Sequence, residues 1–208
     1  MWISPKIIKD WWKVNNKVTA IILAAGQSRR MGQPKMLLPW GGTTVLGVVI
    51  ETLKAAGMED LVVVTGGARE QVEAIVRGSA QVVFNAEYLN SEMLSSIQCG
   101  LGAIKPQSQA ALICLGDQPQ VQVGSVQVIL QEYESTGTSL IVPSYQMKRG
   151  HPWLVARKWW NEILEMRSPK SPREFLNRHA EEIKYMNVDT PSILADLDTP
   201  EDYLKSRP

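Results

Sequence analysis

Apolar and polar positions along this chain follow two alternating patterns. Short apolar runs, often β-branched, are separated by longer segments in which apolar residues recur at helical spacing. This alternation predicts a mostly parallel sheet whose strands are joined by helices. The runs predict strands at Val18–Ala25, Asp60–Thr65, Ala80–Phe84, Ala110–Leu115 and Ser139–Val142. The segments between them predict helices at Thr44–Ala56, Arg69–Val76, Ser91–Ile104 and Val123–Glu134.

The pattern becomes less regular after Pro143. Residues Tyr145–Pro152 are typical of a loop or hairpin, and the final Thr199-Pro200 pair is a favourable helix start. The remaining predicted elements are helices at Arg157–Arg167 and Ser171–His179 and a strand at Ile183–Val188. Because no linker or repeat interrupts residues 18–208, we predict a single domain there, preceded by an extension over residues 1–17.

Composition narrows the classes of function. The 22 basic and 21 acidic residues nearly balance, which argues against a nucleic-acid-binding surface and requires any phosphate-binding charge to be local. No apolar run approaches the roughly 20 residues of a membrane span. Cys99 and Cys114 lie in apolar stretches, which predicts buried thiols and a reducing, cytoplasmic location. His151 and His179 are too few and too separated for a histidine metal site.

The extension is a separate compositional unit. It carries Trp2, Trp11 and Trp12 among lysines and lacks the continuous apolar core of a signal peptide. An amphipathic helix docked on the domain, a dimer contact and an upstream start all fit this composition. Whether the protein is a monomer or a dimer stays open at this point.

The most informative segment follows the first predicted strand and is named here the signature loop, Leu23 to Lys35. Gly26 and Gly32 permit close approach and unusual backbone angles, and Arg30 and Lys35 supply donors suited to phosphate oxygens. Five residues separate the two glycines, which excludes a P-loop, and no dinucleotide fingerprint follows the strand. An ordinary strand-to-helix turn with solvated basic residues is the alternative, which the order of these residues disfavours.

The signature loop resembles that of the nucleotidyltransferases of the molybdenum-cofactor and sugar-nucleotide type, in the MobA-like family. The family pattern is Leu-Ala-Ala/Gly-Gly-x-Ser/Gly-x-Arg-Met-Gly-x-x-Lys, and every fixed position matches. The resemblance extends over Val18 to Tyr203. Three features are similar to the molybdenum cofactor cytidylyltransferase-like branch: Ala25, the turn Gly116-Asp117-Gln118-Pro119 and the segment Gly150-His151-Pro152.

One further region fits the branch, and one position departs from it. Asn85 followed by Ser95-Ser96 and Gly100-Leu101 is similar to the branch's Asn and Ser-Ser-x-x-x-Gly-Leu region. Family members commonly have Gly-Met before the serine pair, whereas Glu92 precedes Met93 here. A carboxylate near a polyphosphate must either point away from it or bind a metal. We expect Glu92 to point away, as a solvated residue in the first turn of the helix.

Acidic residues provide the second half of the predicted site. Transfer from a nucleoside triphosphate needs a divalent cation, and Mg²⁺ accepts one or two carboxylates. Asp117 follows an apolar strand and is the leading candidate, although Gly-Asp-x-Pro is also a common turn. The resemblance implies Asp196 as the second metal ligand. Asp198 faces the same side of an extended chain and either shares that role or caps the helix after Thr199.

The resemblance implies a three-layer α/β/α sandwich with a mostly parallel sheet, the Rossmann-like nucleotide-diphospho-sugar transferase (GT-A type) fold. It also implies a Mg²⁺-dependent enzyme that transfers CMP from CTP to molybdopterin and releases pyrophosphate, with a molybdoenzyme or its chaperone as a further partner. The implied catalytic residues are Arg30, Lys35 and Asp117. The implied nucleotide-binding residues are Leu23, Ala24, Ala25, Gly26, Ser28, Arg30, Lys35, Thr65, Asn85 and Asp117. The implied acceptor-binding residues are Ser95, Ser96 and His151.

Two alternatives remain at the level of the sequence. The same fold could act on a sugar or alditol phosphate or use another nucleotide, since base contacts are often made by the backbone. A non-catalytic carrier of the molybdenum cofactor is the other alternative, and it has no need for intact metal ligands. His151 either contacts the acceptor or only shapes its loop.

Overall fold

The computed structural model describes residues 17–89 and 93–208. Its strands are β1 (Val18–Ala24), β2 (Pro39–Trp40), β3 (Thr43–Thr44), β4 (Asp60–Thr65), β5 (Gln81–Phe84), β6 (Ala110–Leu115), β7 (Leu140–Tyr145), β8 (Lys148–Arg149), β9 (Trp153–Ala156) and β10 (Lys184–Asn187). Its α-helices are α1 (Val45–Ala55), α2 (Arg69–Val76), α3 (Met93–Ala103), α4 (Val123–Thr136), α5 (Trp160–Glu165), α6 (Pro172–Arg178) and α7 (Pro200–Ser206). The Trp-bearing extension, apart from Lys17, and Glu92 lie outside the described residues.

In the described part of the chain, the main sheet has eight strands in the order β10-β7-β9-β6-β1-β4-β5, with β8 paired to β7. Strand β1 pairs in parallel with both β4 and β6, and β4 pairs in parallel with β5. Strand β9 runs antiparallel between β6 and β7. The sheet is therefore mostly parallel, with one antiparallel strand in its interior.

Alternate residues of β1 pack on opposite faces of the sheet, as the two-residue period of a strand requires. Ala20 and Ile22 join the core formed with α1, α2 and α4, whereas Ile21 and Leu23 join the core formed with α3, α5 and α6. Both cores are almost completely buried. The two helical layers around one sheet confirm the predicted single-domain α/β/α sandwich.

The parallel half of the sheet agrees closely with the expectations, and the C-terminal half does so in part. The bounds of β4, β6 and α2 coincide with the predicted ones. The hairpin is confirmed: β7 and β8 pair antiparallel across a tight turn in which Gln146 and Met147 have φ of 48° and 65°. Strand β9 was not predicted, because its four residues follow Pro152 directly and show no alternating pattern.

The two cysteines are free thiols with different surroundings. Cys114 is buried on β6, as predicted, whereas Cys99 on α3 is only partly buried. Burial raises the pKa of both thiols. Across residues 17–89 and 93–208, no helix combines the length and the apolar character that crossing a bilayer requires.

Helix α3 lies close to the sheet because Gly100 faces β1. A Cβ atom at Gly100 would lie 2.4 Å from Cγ2 of Ile21 and 3.2 Å from Cγ2 of Val64. Two residues on, Gly102 is exposed and has no atom within 4 Å of its Cβ position. The two glycines therefore occupy opposite environments on the same helix.

We expect Gly100→Ala to destabilise the protein by about 1–3 kcal/mol, since the added methyl group overpacks the contact with β1. The control, Gly102→Ala, should be neutral or stabilising by up to about 1 kcal/mol, because alanine is the better helix former. Urea unfolding of the two variants measures both effects. Equal stabilities for the two variants would contradict this account of the packing of α3.

Candidate functional site

The candidate site lies where the order of the strands reverses. The chain passes from β1 to β4 and β5 on one side, then returns to place β6 on the other side of β1. Ligands of open α/β sheets bind at such a switch point, outside the carboxyl ends of the strands. The signature loop leaves β1 there, and the turn 116–119 leaves β6 beside it.

The two segments approach each other closely. The backbone amide of Gly116 donates to the carbonyl oxygen of Leu23 over 3.0 Å, which extends the β1–β6 contact beyond the strands. A Cβ atom at Gly116 would lie 3.0 Å from that oxygen and 3.1 Å from Sδ of Met36. The absence of a side chain at Gly116 therefore allows the turn that carries Asp117 to lie against the signature loop.

Internal contacts of the signature loop fix the position of Lys35. Ser28 and Gly32 have φ of 49° and 67°, and the amide of Met31 donates to the carbonyl of Ser28 over 2.9 Å. The amide of Lys35 donates to Oγ of Ser28 over 3.1 Å. Lys35 then begins a short 3-10 helix, Lys35–Leu37, whose Met36 is buried. Ser28 thus shapes the loop, and Lys35 is held at its end.

Four charged side chains meet at the carboxyl ends of β1 and β6, and we name them the charge cluster: Arg30, Lys35, Asp117 and Asp198. Nζ of Lys35 forms an ion pair with Oδ2 of Asp117 and lies 3.4 Å from Oδ1 of Asp198. The side chains of Lys35 and Asp117 are only 12% and 13% exposed, so their attraction is weakly screened. Arg30 Nη2 reaches Oδ2 of Asp198 over 2.9 Å at the exposed side.

Asp196 lies beside the charge cluster and is held by a residue to which sequence reasoning assigned no role. Nε2 of Gln118 donates to Oδ1 of Asp196 over 2.6 Å and to the carbonyl of Ile193 over 3.3 Å. Gln118 is 3% exposed. Its place in the Gly-Asp-x-Pro turn, next to Asp117, was the only available signal. A buried amide therefore orients the carboxylate of Asp196.

The carboxylates of the site repel one another. Burial is the main cause that raises the pKa of Asp196, and the negative charges of Asp117 and Asp198 raise it further. The hydrogen bond from Gln118 and the charge of Lys35 oppose this shift. Lys35 and Arg30 bring two positive charges to three carboxylates, so the site attracts further positive charge.

Of the two alternatives for Asp198, the capping role is wrong. The N-cap of α7 is Thr199, whose hydroxyl accepts from the amide of Asp202 while the Asp202 carboxylate accepts from the Thr199 amide. This reciprocal capping box leaves the side chain of Asp198 free for Arg30 and Lys35. Asp202 is part of this cap.

A cavity of about 340 Å³ opens between these segments and is named here the first cavity. Its lining includes seven of the predicted site residues: Leu23, Ala25, Gly26, Lys35, Ser96, Asp117 and Asp196. Asp198, Gln27, Tyr88 and Met93 also line it. The predicted residues outside its lining are Ala24, Ser28, Arg30, Thr65, Asn85, Ser95 and His151.

Thr65 and Asn85 lie behind the wall of the first cavity. Both are buried, and the Thr65 hydroxyl donates to the carbonyl of Val83. Nδ2 of Asn85 donates to Oγ of Ser95 and Ser96 over 2.9 and 3.1 Å. Asn85 therefore joins the end of β5 to the first turn of α3, and among this group only Ser96 lines the cavity itself.

The donor set suits a hard cation that takes few ligands from the protein. The described residues contain no group of three or more His, Cys, Asp or Glu side chains arranged to hold a metal. Mg²⁺ commonly needs only one or two carboxylates and completes its coordination with water and phosphate oxygens. Asp117 and Asp196, whose charges are partly uncompensated, meet that smaller requirement.

A second cavity, of about 620 Å³, adjoins the first, and Met93 lines both. His151 lines the second cavity, not the first. Its amide donates to the carbonyl of Ile193 over 3.0 Å, and a Cβ at Gly150 would lie 2.5 Å from the same oxygen. Nε2 of His151 is enclosed and has no hydrogen-bond partner among the described residues, and burial lowers the pKa of the ring to about 4.

Comparison with known proteins agrees with this geometry. Residues 20–183 match the family model described as the MobA-like NTP transferase domain. The chain is 25% identical to the molybdenum cofactor cytidylyltransferase of Escherichia coli K12 over 194 residues, 91% of this chain and 95% of that protein. It is 31% identical to nicotine blue oxidoreductase of Paenarthrobacter nicotinovorans over 145 residues, 66% of this chain and 70% of that one.

The solved structures of Rv0371c from Mycobacterium tuberculosis H37Rv have the same fold. One superposes with a TM-score of 0.81 at 29% identity and covers 91% of this chain and 96% of its own. A complex of Rv0371c with manganese superposes with a TM-score of 0.77 at 28% identity, with the same coverage. The chain belongs to the MobA-like NTP transferase family, which confirms the resemblance drawn from the signature loop, and its fold is that of the Rossmann-like nucleotidyltransferases.

The enclosed ring of His151 predicts a dependence of stability on pH. The folded protein keeps the ring neutral down to about pH 4, whereas an unfolded histidine takes up a proton below about pH 6.5. The stabilisation that this histidine provides is therefore lost as the pH falls from 6.5 to 4, by roughly 3 kcal/mol in total. Relative to His151→Gln, the wild type should lose stability over this range in urea unfolding. Parallel stability curves for the two proteins would refute a neutral, enclosed ring.

Proposed function

We propose that this protein transfers CMP from CTP to the phosphate of molybdopterin and releases pyrophosphate. The observation that carries the proposal is the charge cluster, in which a lysine and an arginine of the signature loop meet carboxylates from two other segments beside a cavity. A site that combines phosphate-binding cations with metal-binding carboxylates suits attack at a phosphorus atom.

The choice of nucleotide and acceptor has its own support. Ala25 in the third position of the signature loop and Gly116 before Asp117 are similar to the cytidylyltransferase-like branch. The E. coli relative that bears this name aligns over 91% of the chain. Molybdenum cofactor biosynthesis, a cytoplasmic location and a molybdoenzyme or chaperone partner are part of the same proposal.

The chemistry is a displacement at phosphorus. An oxygen of the acceptor phosphate forms a bond to the α-phosphorus of CTP while the bond to the bridging oxygen of the β-phosphate breaks, and pyrophosphate carries the electron pair away. Because the attacking phosphate is already ionised, no general base is required. Catalysis then depends on the alignment of the two substrates and on charge stabilisation.

The residues divide these tasks. Lys35 and Arg30 bind the triphosphate and stabilise the negative charge of the leaving pyrophosphate. Asp117 and Asp196 would hold a divalent cation, with Asp198 nearby, and the cation when bound would neutralise phosphate charge. The backbone from Leu23 to Gly26 holds base and ribose. Ala24, Ser28, Thr65 and Asn85 support these groups from behind the cavity wall.

The acceptor approaches from the second cavity in this proposal. Ser96 lines the first cavity and is bound to Asn85, together with Ser95, while His151 lines the second. The acceptor phosphate would therefore pass Ser95 and Ser96 with its remaining part beside His151. A sugar or alditol phosphate acceptor, another nucleotide, or a carrier role without transfer are the alternatives.

Pyrophosphate release distinguishes these possibilities. The purified protein is incubated with CTP, GTP, ATP or UTP, with and without molybdopterin, in Mg²⁺, Mn²⁺ or EDTA. We expect release with CTP that requires both molybdopterin and a divalent cation. Release with another nucleotide would correct the base preference and retain the site. No release with any nucleotide, despite measurable nucleotide binding, would favour the carrier or a different acceptor.

Lys35→Ala should lower kcat/KM for CTP by roughly 10²- to 10³-fold, because it removes the main cation that faces the triphosphate. The fold should persist because no core side chain depends on Lys35, but the melting temperature should fall, since the enclosed carboxylate of Asp117 loses its partner. Lys54→Ala is the matched control, as Lys54 is exposed on α1 and lines neither cavity. Steady-state kinetics with a melting curve tests the pair. Near-normal turnover of Lys35→Ala would remove the basis of the site assignment.

A further inference from the structure

The second cavity has an unusual combination of charge and apolar surface. Three cationic residues, Lys148, Arg149 and Arg173, line it, and no Asp or Glu within residues 17–89 and 93–208 does so. Met147, Trp153 and Leu176 give the remaining wall an apolar character. Its volume, about 620 Å³, falls within the range of ligand sites for small organic molecules. Such a cavity fits a ligand that has a hydrophobic or heteroaromatic body and an anionic group.

Side-chain hydrogen bonds hold the guanidinium group of Arg149, and the groups that accept them are neutral. Its Nε and Nη2 donate to the hydroxyl of Tyr185 over 2.9 and 2.6 Å, and its Nη1 donates to Oδ1 of Asn177 over 2.6 Å. The guanidinium also lies 5.5 Å from the centre of the Tyr185 ring. These contacts orient the guanidinium group without cancelling its charge.

Three other arginines of the chain are paired with carboxylates, whereas Arg157 and Arg167 donate to backbone carbonyl oxygens. Arg30, Arg69 and Arg178 each form an ion pair with a carboxylate. In the part of the chain that the structure describes, no carboxylate contacts Arg149. A fixed guanidinium with uncompensated charge in a cavity wall is a group prepared to bind an anion, because its orientation carries no further entropic cost on binding.

The turn beside Arg149 shows a second departure from ordinary structure. Met147 is 96% exposed at the tip of the β7–β8 turn, although it is a large apolar residue. Gln146 and Met147 both adopt left-handed backbone angles, a conformation that usually selects glycine or asparagine. Exposed apolar surface and backbone strain at the same place are typical of a site that contacts a ligand.

We propose that the second cavity binds the part of the acceptor remote from its reacting phosphate, and that Arg149 recognises a second anionic group there. The inference rests on the proposed function, in which the reacting phosphate lies in the first cavity. It narrows the acceptor to molecules with an anionic or electron-rich group at each end of an apolar or heteroaromatic body. Arg149 is a specificity-determining residue in this account, and Tyr185 is a positioning residue that acts through it.

The test compares KM for molybdopterin, KM for CTP and kcat in the pyrophosphate assay. Arg149→Met should raise KM for molybdopterin roughly 10- to 100-fold and leave KM for CTP unchanged, as loss of hydrogen bonds to a charged group predicts. Arg149→Lys should recover part of the affinity, because it restores charge without the planar fork. Tyr185→Phe, which retains Arg149 and the ring, should raise KM for molybdopterin by a smaller factor.

Arg69→Met is the matched control. Arg69 stacks on Phe84 at 5.3 Å, much as Arg149 stacks on Tyr185, and it lines neither cavity. It should behave as the wild type.

A wild-type protein that transfers CMP to molybdopterin while Arg149→Met retains the same KM for molybdopterin would overturn this inference alone. If the wild-type protein transfers a nucleotidyl group to molybdopterin from none of the four nucleoside triphosphates, both this inference and the proposed function are overturned. An equal loss of kcat in all Arg149 and Tyr185 variants, without a selective rise in KM for molybdopterin, would indicate a structural role. That result would also overturn this inference.

Discussion

The ion pair between Lys35 and Asp117 is the interaction on which the site depends. Both side chains are almost enclosed, and an enclosed charge is tolerated only with a partner in good geometry. The signature loop must therefore deliver a cation to the position where the turn after β6 delivers an anion. Three features bring these two side chains together. They are the missing side chain at Gly116, the bonds that Ser28 makes within the loop and the 3-10 helix that begins at Lys35.

The sheet explains why three distant segments converge there. Strands β1 and β6 are neighbours at the switch point, so their carboxyl ends open on one side. The segment with Asp196 and Asp198 is joined to them through the Gln118 amide and through a backbone bond from the Leu197 amide to the Asp117 carbonyl over 3.3 Å. The Ile193 carbonyl of the same segment accepts from Gln118 and from the amide of His151, and His151 lines the second cavity. The segment therefore connects the turn that carries Asp117 with one residue of the second cavity.

Sequence reasoning succeeded where local signals determine the structure. The continuous apolar runs of β4 and β6 and the signature loop are local features, and they predicted the central sheet and the places of Lys35 and Asp117. Strand β9 was missed because its four residues carry no clear local pattern. It is a strand because it pairs with β6 and β7 on either side. The contacts of Gln118 and Arg149 join residues 78 and 36 positions apart, which no local pattern reveals. Two roles were open for Asp198, and the capping role is excluded because Thr199 and Asp202, which have the spacing of a capping box, form the cap.

The most direct test of this account is a crystal structure with Mn²⁺ and a CTP analogue in which a methylene group replaces the α,β-bridging oxygen. Anomalous scattering locates the cation independently of the protein coordinates. We expect an anomalous peak beside the carboxylates of Asp117 and Asp196, with Nζ of Lys35 bound to a phosphate oxygen of the analogue. A triphosphate bound away from Lys35, or a cation bound away from both carboxylates, would contradict the claim that the charge cluster is the site of nucleotidyl transfer.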